Sequence, residues 1–393
     1  MLINEKINQA KALLREFGID CWITFVRETE INGDPTLVYI GPAQLTWHSA
    51  LIISKDGRTH AIVGSQDVRT VQDLEAWDEV VGFVTGIREP LTEYLKELDP
   101  RIIALNYSEG SEICDGLTHG MFLTIQRFLS EVGMADRIVS AEPIISALRE
   151  RKTQWEADTI REAVRHTLEI FALAVGFIRP GRTEKDIAAF MQEEVSRRGL
   201  ALSWEASICP GVFTGPDTAG AHYGPTDRQV ACGHVLNMDF GVKVNGYVSD
   251  LQRTFYILGP GETTAPPDVQ HGFDTIVDAI QQCKDAMRPG VEGREIDAIA
   301  RSVLRGSGFE EFPHGLGHQV GRFAHDGTAL LGPVWEKYAE KPFKKLEVGM
   351  VFTIEPRLTV PGRGVCTVEE MVLVTQSGCD WLSQPQKRLF LIS

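Results

Sequence analysis

No Cys-x-x-Cys pair occurs in this sequence, and its seven cysteines (21, 114, 209, 232, 283, 366 and 379) are dispersed and odd in number. That argues against a disulfide framework and fits reduced thiols in a cytoplasmic protein. No apolar run approaches the ~20 residues that span a bilayer, so no membrane partner is expected. Positive charge is scarce: 39 Lys and Arg stand against 54 Asp and Glu, for a net charge of −15. A nucleic-acid binder would carry a basic patch or stripe, so no nucleic-acid partner is expected either. Residues 1–150 hold no phosphate-binding glycine motif. The opening stretch lacks the basic-then-apolar order of a signal peptide, and Ile3, Ile7, Leu13 and Leu14 give it a helical pattern instead.

What is present is the composition of a globular protein: 43% hydrophobic and 24% charged residues over a length that exceeds one ordinary domain. Residues 1–150 alternate strand-like and helix-like segments. "CWITFV", "ALIISKDGRTHAIV" and "RIIALN" read as strands; "SQDVRTVQDLEAW", "PLTEYLKELD" and "GMFLTIQRFLSEVG" read as helices. This predicts a smaller mixed α/β domain over 1–150, with a charged boundary leading into a second domain over 151–393. That second domain opens with long helical patterns. One ends at Pro180-Gly181; the next begins at Thr183, with Asp186 at capping-box spacing, and stops at Gly199.

An internal echo follows. "RPGRTEKDI" (179–187) is matched by "RPGVEGREI" (288–296), each placed between two helical patterns. After the first copy comes "LNMDFGVKVNGYVSDLQRTFYI", two apolar-rich runs about the turn signal Asn245-Gly246. After the second comes "GMVFTIEPRLTVPGRGVCTVEEMVLVT", with a Pro-Gly turn. The first strand pair carries Asp239 and Asp250, the second Glu355 and Glu369. The expected fold class is therefore α+β: two related halves, each two helices and an acid-bearing hairpin.

Aspartate is depleted in strands, and a buried carboxylate is costly unless it is paired or bound to metal. Pairing 241 with 250 across the turn would set Asp239 diagonal to Asp250 on one face; a slip of one residue would part them. Apolar neighbours Leu236, Met238, Phe240, Val242 and Val248 oppose a solvent-facing charge pair. "FPHGLGHQVGRFAHDG" holds three of the ten histidines, His314, His318 and His325, among glycines that disfavour a helix and allow close backbone approach. His222, in "GAHYGP", is a weaker signal, and His234 reads as structural. Asp239, Asp250, His318, Glu355 and Glu369 form a candidate metal site, oxygen-rich with one imidazole and no thiolate. Four carboxylates balance two divalent cations, which bridging carboxylates hold about 3.5–4 Å apart.

With "DFGVKVNGYVSDLQRTF", "HGLGHQVGRFAH", "TIEP" and "VEEMVLV" in place, the chain resembles the creatinase, prolidase and aminopeptidase P group. Its catalytic domain has the pita-bread fold shared with methionine aminopeptidases. The quoted motifs span about 220 to 375, and the preceding helices extend the likeness to roughly 150. The resemblance implies ligation by Asp239, Asp250, His318, Glu355 and Glu369, with His318 rather than His314 the ligand, because it lies seven positions before His325. It implies that His222 and His325 contact substrate and stabilise the tetrahedral intermediate, that His314 is an accessory pocket residue, and that Glu355 is general base and proton shuttle. It also implies two divalent ions (manganese first, cobalt or zinc otherwise), a short peptide or small amide as substrate, and a homodimer. The activity implied is Xaa-Pro aminopeptidase or dipeptidase, with a metal-bridging hydroxide as nucleophile. Two departures bear on substrate choice. Thr367 stands where many Xaa-Pro peptidases carry Arg, and Leu330 to Lys345 is a long connection. A metal-dependent hydrolase of a small non-peptide amide and a non-catalytic pita-bread binding protein are the competing readings.

Overall fold

The computed structural model describes residues 2–217 and 223–393. The chain divides into two compact units, Met1–Arg149 and Glu150–Ser393. The first holds a six-stranded mixed sheet in the order Glu79–Phe83, Thr59–Gly64, Ser49–Ser54, Cys21–Val26, Ile103–Leu105, Ile138–Ser140. The strand period explains why its middle strands read as continuous apolar runs. Trp22 and Ile53 pack with Ile7, Leu13 and Leu14 of helix Leu2–Phe17 on one face. Cys21 and Ile23 pack with Leu91, Leu95, Ile125 and Leu129 on the other. The segment read as a helix over 65–77 is helical only at Val68–Gln72, and is followed by Glu75 at φ 50°. The edge strands Glu79–Phe83 and Ile138–Ser140 are short and lie outside the segments read as strands from the sequence. They are partly exposed and owe their conformation to parallel pairing with Thr59–Gly64 and Ile103–Leu105.

In the second unit the repeat read from the sequence is a repeat of structure. Helix Gln154–Phe177 leads through Gly181 (φ 88°) to helix Glu184–Arg197; helix Pro267–Ala286 leads through Gly290 (φ 91°) to helix Gly293–Gly306. Both second helices open with a capping box, Thr183 with Asp186 and Glu292 with Glu295. Each helix pair is followed by its hairpin. Strands run in the order Phe390–Ile392, Leu251–Ile257, Val235–Phe240, Gly211–Thr214 in one sheet and Val351–Ile354, Glu370–Val374, Cys379–Trp381 in another. All pairs are antiparallel except Phe390–Ile392 on Leu251–Ile257. Leu358 and Val360 of strand Arg357–Val360 press on helix Pro267–Ala286 at Gly272, where an added Cβ would lie 3.0–3.1 Å from their side chains. That face belongs to the core; the opposite face is left for the site.

The seven cysteines are free. Among the described residues no helix is long and apolar enough to cross a membrane.

Candidate metal centre

The first hairpin turns at Asn245 (φ 47°) and Gly246 (φ 84°), the left-handed pair of a type I′ turn, whose twist matches the strands it joins. The ladder then runs Val244↔Tyr247 and Lys243↔Val248, and resumes as Leu251↔Phe240 and Gln252↔Asp239. This register sets Asp250 opposite Gly241 and diagonal to Asp239, so both carboxylates share a face. Gly241 is required there, since a Cβ would sit 1.9 Å from Ser249 O.

The second hairpin pairs Ile354↔Glu370 and Arg357↔Thr367. The same register carries Glu355 directly across from Glu369. Glu369 N donates to Gln252 O (3.1 Å), and both Asn237 Nδ2 (2.9 Å) and Thr254 Oγ1 (2.7 Å) donate to Thr367 O. These bonds stitch one hairpin to the other. Gln252 Nε2 completes the join by donating to Glu355 Oε2 at 3.1 Å.

The histidine segment is a strand rather than a helix at its centre. Gly317–His318 pairs with Leu330–Leu331, and Gln319 bridges to Phe352. Glu355 N donates to Leu316 O (2.8 Å) and Val320 N to Val351 O (3.1 Å). Gly317 makes this approach feasible, because a Cβ there would lie 2.0 Å from Thr353 O. His318 Nε2 then lies 3.4 Å from Glu355 Oε1 and 3.8 Å from Asp250 Oδ2, while its Nδ1 faces Gln319 O at 3.4 Å. A backbone acceptor on one ring nitrogen leaves the other for a cation. The long connection after Leu330 packs back onto this segment: Gly315 N donates to Tyr338 Oη at 3.0 Å.

The charge balance is unusual. Asp250 and Glu369 are buried, yet among the described residues Asp239 Oδ1 and both oxygens of Glu369 have no hydrogen-bond partner. Burial, then the Asp250 and Glu355 charges, pushes the Asp239 carboxyl well above its usual range; burial and the same neighbours do so for Glu369. Asp250 is raised to about 7, chiefly by burial, against the pull of His318. Burial also opposes ionisation of Glu355, but the His318 hydrogen bond and charge outweigh it and leave that carboxyl below its ordinary value. Burial disfavours the His318 cation, and the Glu355 and Asp250 carboxylates more than offset this. Unpartnered carboxylate oxygens converging in a buried place are what a divalent cation neutralises. Ligand atoms of Asp250, His318 and Glu369 all lie within 4.8 Å of one another. The residues present fit a metal.

Adjacent Glu370 shows the contrast. It faces the other side and is fully occupied: Arg253 Nη1 at 3.1 Å, Ser383 Oγ at 2.5 Å and Gln386 N at 2.8 Å. Of the other residues singled out in the sequence, His325 is exposed and its ring meets that of His318 edge-on at 4.2 Å. His314 is half-buried, with its ring 5.1 Å from Phe312 and Nδ1 2.8 Å from Gly315 O. The charges of both histidines reach Glu355. His222 lies outside the described residues. Gln252 escaped the sequence reading, although its place two residues after Asp250 puts it on the same strand face. Arg357 escaped it too; it stands directly across from Thr367, the position where an arginine was expected.

Two acid-bearing hairpins closed by a histidine strand make this a pita-bread domain with a metallopeptidase-type centre. The chain belongs to metallopeptidase family M24, whose model matches residues 158–376. It is 27% identical over 341 residues to an uncharacterized peptidase of Staphylococcus haemolyticus, covering 86% of this chain and 88% of that protein. Among solved structures, an Xaa-Pro dipeptidase from Bacillus anthracis matches with a TM-score of 0.72 at 23% identity, covering 99% of this chain and 100% of that one. An X-Pro aminopeptidase from Thermotoga maritima matches at 0.70 and 23%, covering 98% and 99%. At these identities the structures establish the fold.

Proposed function

We propose that this metallopeptidase is a dinuclear-metal-dependent hydrolase of amide bonds that acts as an Xaa-Pro aminopeptidase or dipeptidase. The observation that carries the reading is the set of unpartnered oxygens on Asp239 and Glu369 beside Asp250, Glu355 and His318. Those five residues would hold the ions. Bound divalent cations, manganese first and cobalt or zinc otherwise, would lower the pKa of a water and polarise the scissile carbonyl.

The remaining work falls to side chains. Glu355, kept ionised by His318, takes the proton of the attacking water and passes it to the leaving amine. Gln252 Nε2 holds the second oxygen of Glu355 and fixes the carboxylate's orientation. His325, exposed beside His318, donates to the charge developing on the carbonyl oxygen; His314 lines the pocket wall. His222 serves the leaving-group side. The same reading includes a cytoplasmic homodimer. The test is a metal-reconstituted screen of Xaa-Pro dipeptides, longer Xaa-Pro peptides and non-proline peptides, with chelator controls. Normal turnover after chelation would defeat the proposal.

One observation favours a second reading, a metal-dependent hydrolase of a small non-peptide amide. Thr367 replaces the expected arginine, and its hydroxyl is buried without a hydrogen-bond partner among the described residues. Including small cyclic and N-substituted amides in the screen separates the two.

A further inference from the structure

We propose that Arg357 is a specificity-determining residue that binds a free α-carboxylate next to the scissile amide, so that the preferred substrate ends one residue beyond the cleaved bond. This rests on the amide-hydrolase reading above and names its substrate class. Cross-strand pairing puts Arg357 and Thr367 side by side, and Leu358 and Val360 occupy the other face, against the core. Arg357 therefore shares the face of Glu355, two residues before it, and Thr367 that of Glu369, two residues after it.

The guanidinium is half-buried and has no hydrogen-bond or ion-pair partner among the described residues. Beside it Thr367 is 4% exposed, with a hydroxyl that has no partner either. A partly desolvated guanidinium and an orphan hydroxyl on one rung are the donors a carboxylate needs, and Arg presents its N–H groups in the planar fork that a carboxylate matches.

Spacing selects the carboxylate's place in the substrate. Same-face neighbours on a strand are roughly 6.6 Å apart, and an extended residue spans ~3.3–3.6 Å. A carbonyl held at the carboxylate cluster leaves room for about one residue before its terminal carboxylate meets Arg357. A long peptide would place a neutral amide there and leave the guanidinium uncompensated.

The chemistry is shared by a dipeptide and by an N-acyl amino acid, and Ala-Pro and N-acetylproline as parallel substrates distinguish them. The decisive comparison is Ala-Pro against Ala-Pro-amide with metal-loaded enzyme, plus calorimetric binding of L-proline against L-prolinamide. Wild type should favour the free acid by roughly 10- to 100-fold in both measurements, as a charged hydrogen-bonded pair would give. In Arg357→Gln the ratio should fall towards one, through KM, with metal content at the wild-type level; Arg357→Lys should recover part of it. Equal treatment of acid and amide by wild type, or the same ratio in Arg357→Gln, overturns the assignment. Failure to hydrolyse any peptide defeats the Xaa-Pro reading, while the proline-to-prolinamide binding ratio still decides the role of Arg357.

Discussion

Glu369 and Glu370 are consecutive in the chain, both 1% exposed, and opposite in their surroundings. Glu370 is met by Arg253, Ser383 and Gln386, whereas neither oxygen of Glu369 has a hydrogen-bond partner among the described residues. Strand alternation turns one carboxylate into a structural ion pair and leaves the other with open acceptor oxygens facing the site. Their replacements should therefore act in opposite directions. Glu370→Ala should cost about 3–5 kcal/mol, because it leaves Arg253 buried and unpaired. Glu369→Gln should leave metal-free stability equal or higher, while metal no longer raises the melting temperature. Denaturant titration with and without metal checks both.

Asp250→Ala and His318→Ala should each abolish metal-dependent peptide hydrolysis. Elemental analysis of the purified wild type should find about two divalent ions per chain at saturation, and clearly fewer in either variant. Wild-type metal content in both variants would contradict the assigned ligands.

The pH dependence of the metal-free protein has a definite sign. Asp239 and Glu369 have folded-state pKa values well above their ordinary ones, and that of Asp250 is about 7. The folded state thus holds protons that the unfolded state, titrating near ~4, has already lost. Their contribution is fully present below about pH 4 and is lost as pH rises through the folded values. His318, also raised, acts in the same direction; Glu355, lowered, opposes it. In chelator, the double variant Asp239→Asn/Glu369→Gln should show a flatter fall in melting temperature between pH 5 and 8 than wild type. The stabilisation conferred by added manganese on wild type should grow over the same interval.

Gly317→Ala tests how the histidine strand is seated. Its Cβ would fall 2.0 Å from Thr353 O, a backbone atom that cannot rotate away. The substitution should cost about 1–3 kcal/mol, as overpacking does, and should weaken metal binding by displacing His318. Gly261→Ala, at an exposed turn glycine with no heavy atom within 4 Å of its Cβ, serves as the control; it should show only the strain of its φ of 84° and unchanged metal affinity.

Local chemistry already written in the chain determined much of this molecule. The capping boxes at Thr183 and Glu292, the left-handed glycines after each first helix and the Asn245-Gly246 turn are short-range features, settled by a few neighbouring dihedrals and hydrogen bonds. The repeat and the hairpins were legible for that reason, and once the turn is type I′ its register puts Asp239 and Asp250 on one face. Tertiary structure decided what depends on neighbours distant in sequence. It brought Leu316–Val320 alongside strand Val351–Ile354, stitched Glu369 to Gln252, and gave Glu370 its arginine while leaving Glu369 bare. It also set Arg357 opposite Thr367, and it paired the short edge strand Glu79–Phe83 in parallel with Thr59–Gly64. Side-chain alternation can be read along one strand, but the atoms that face a carboxylate come from other strands. Whether it ends as an ion pair or as a ligand is therefore settled only when the chain has folded.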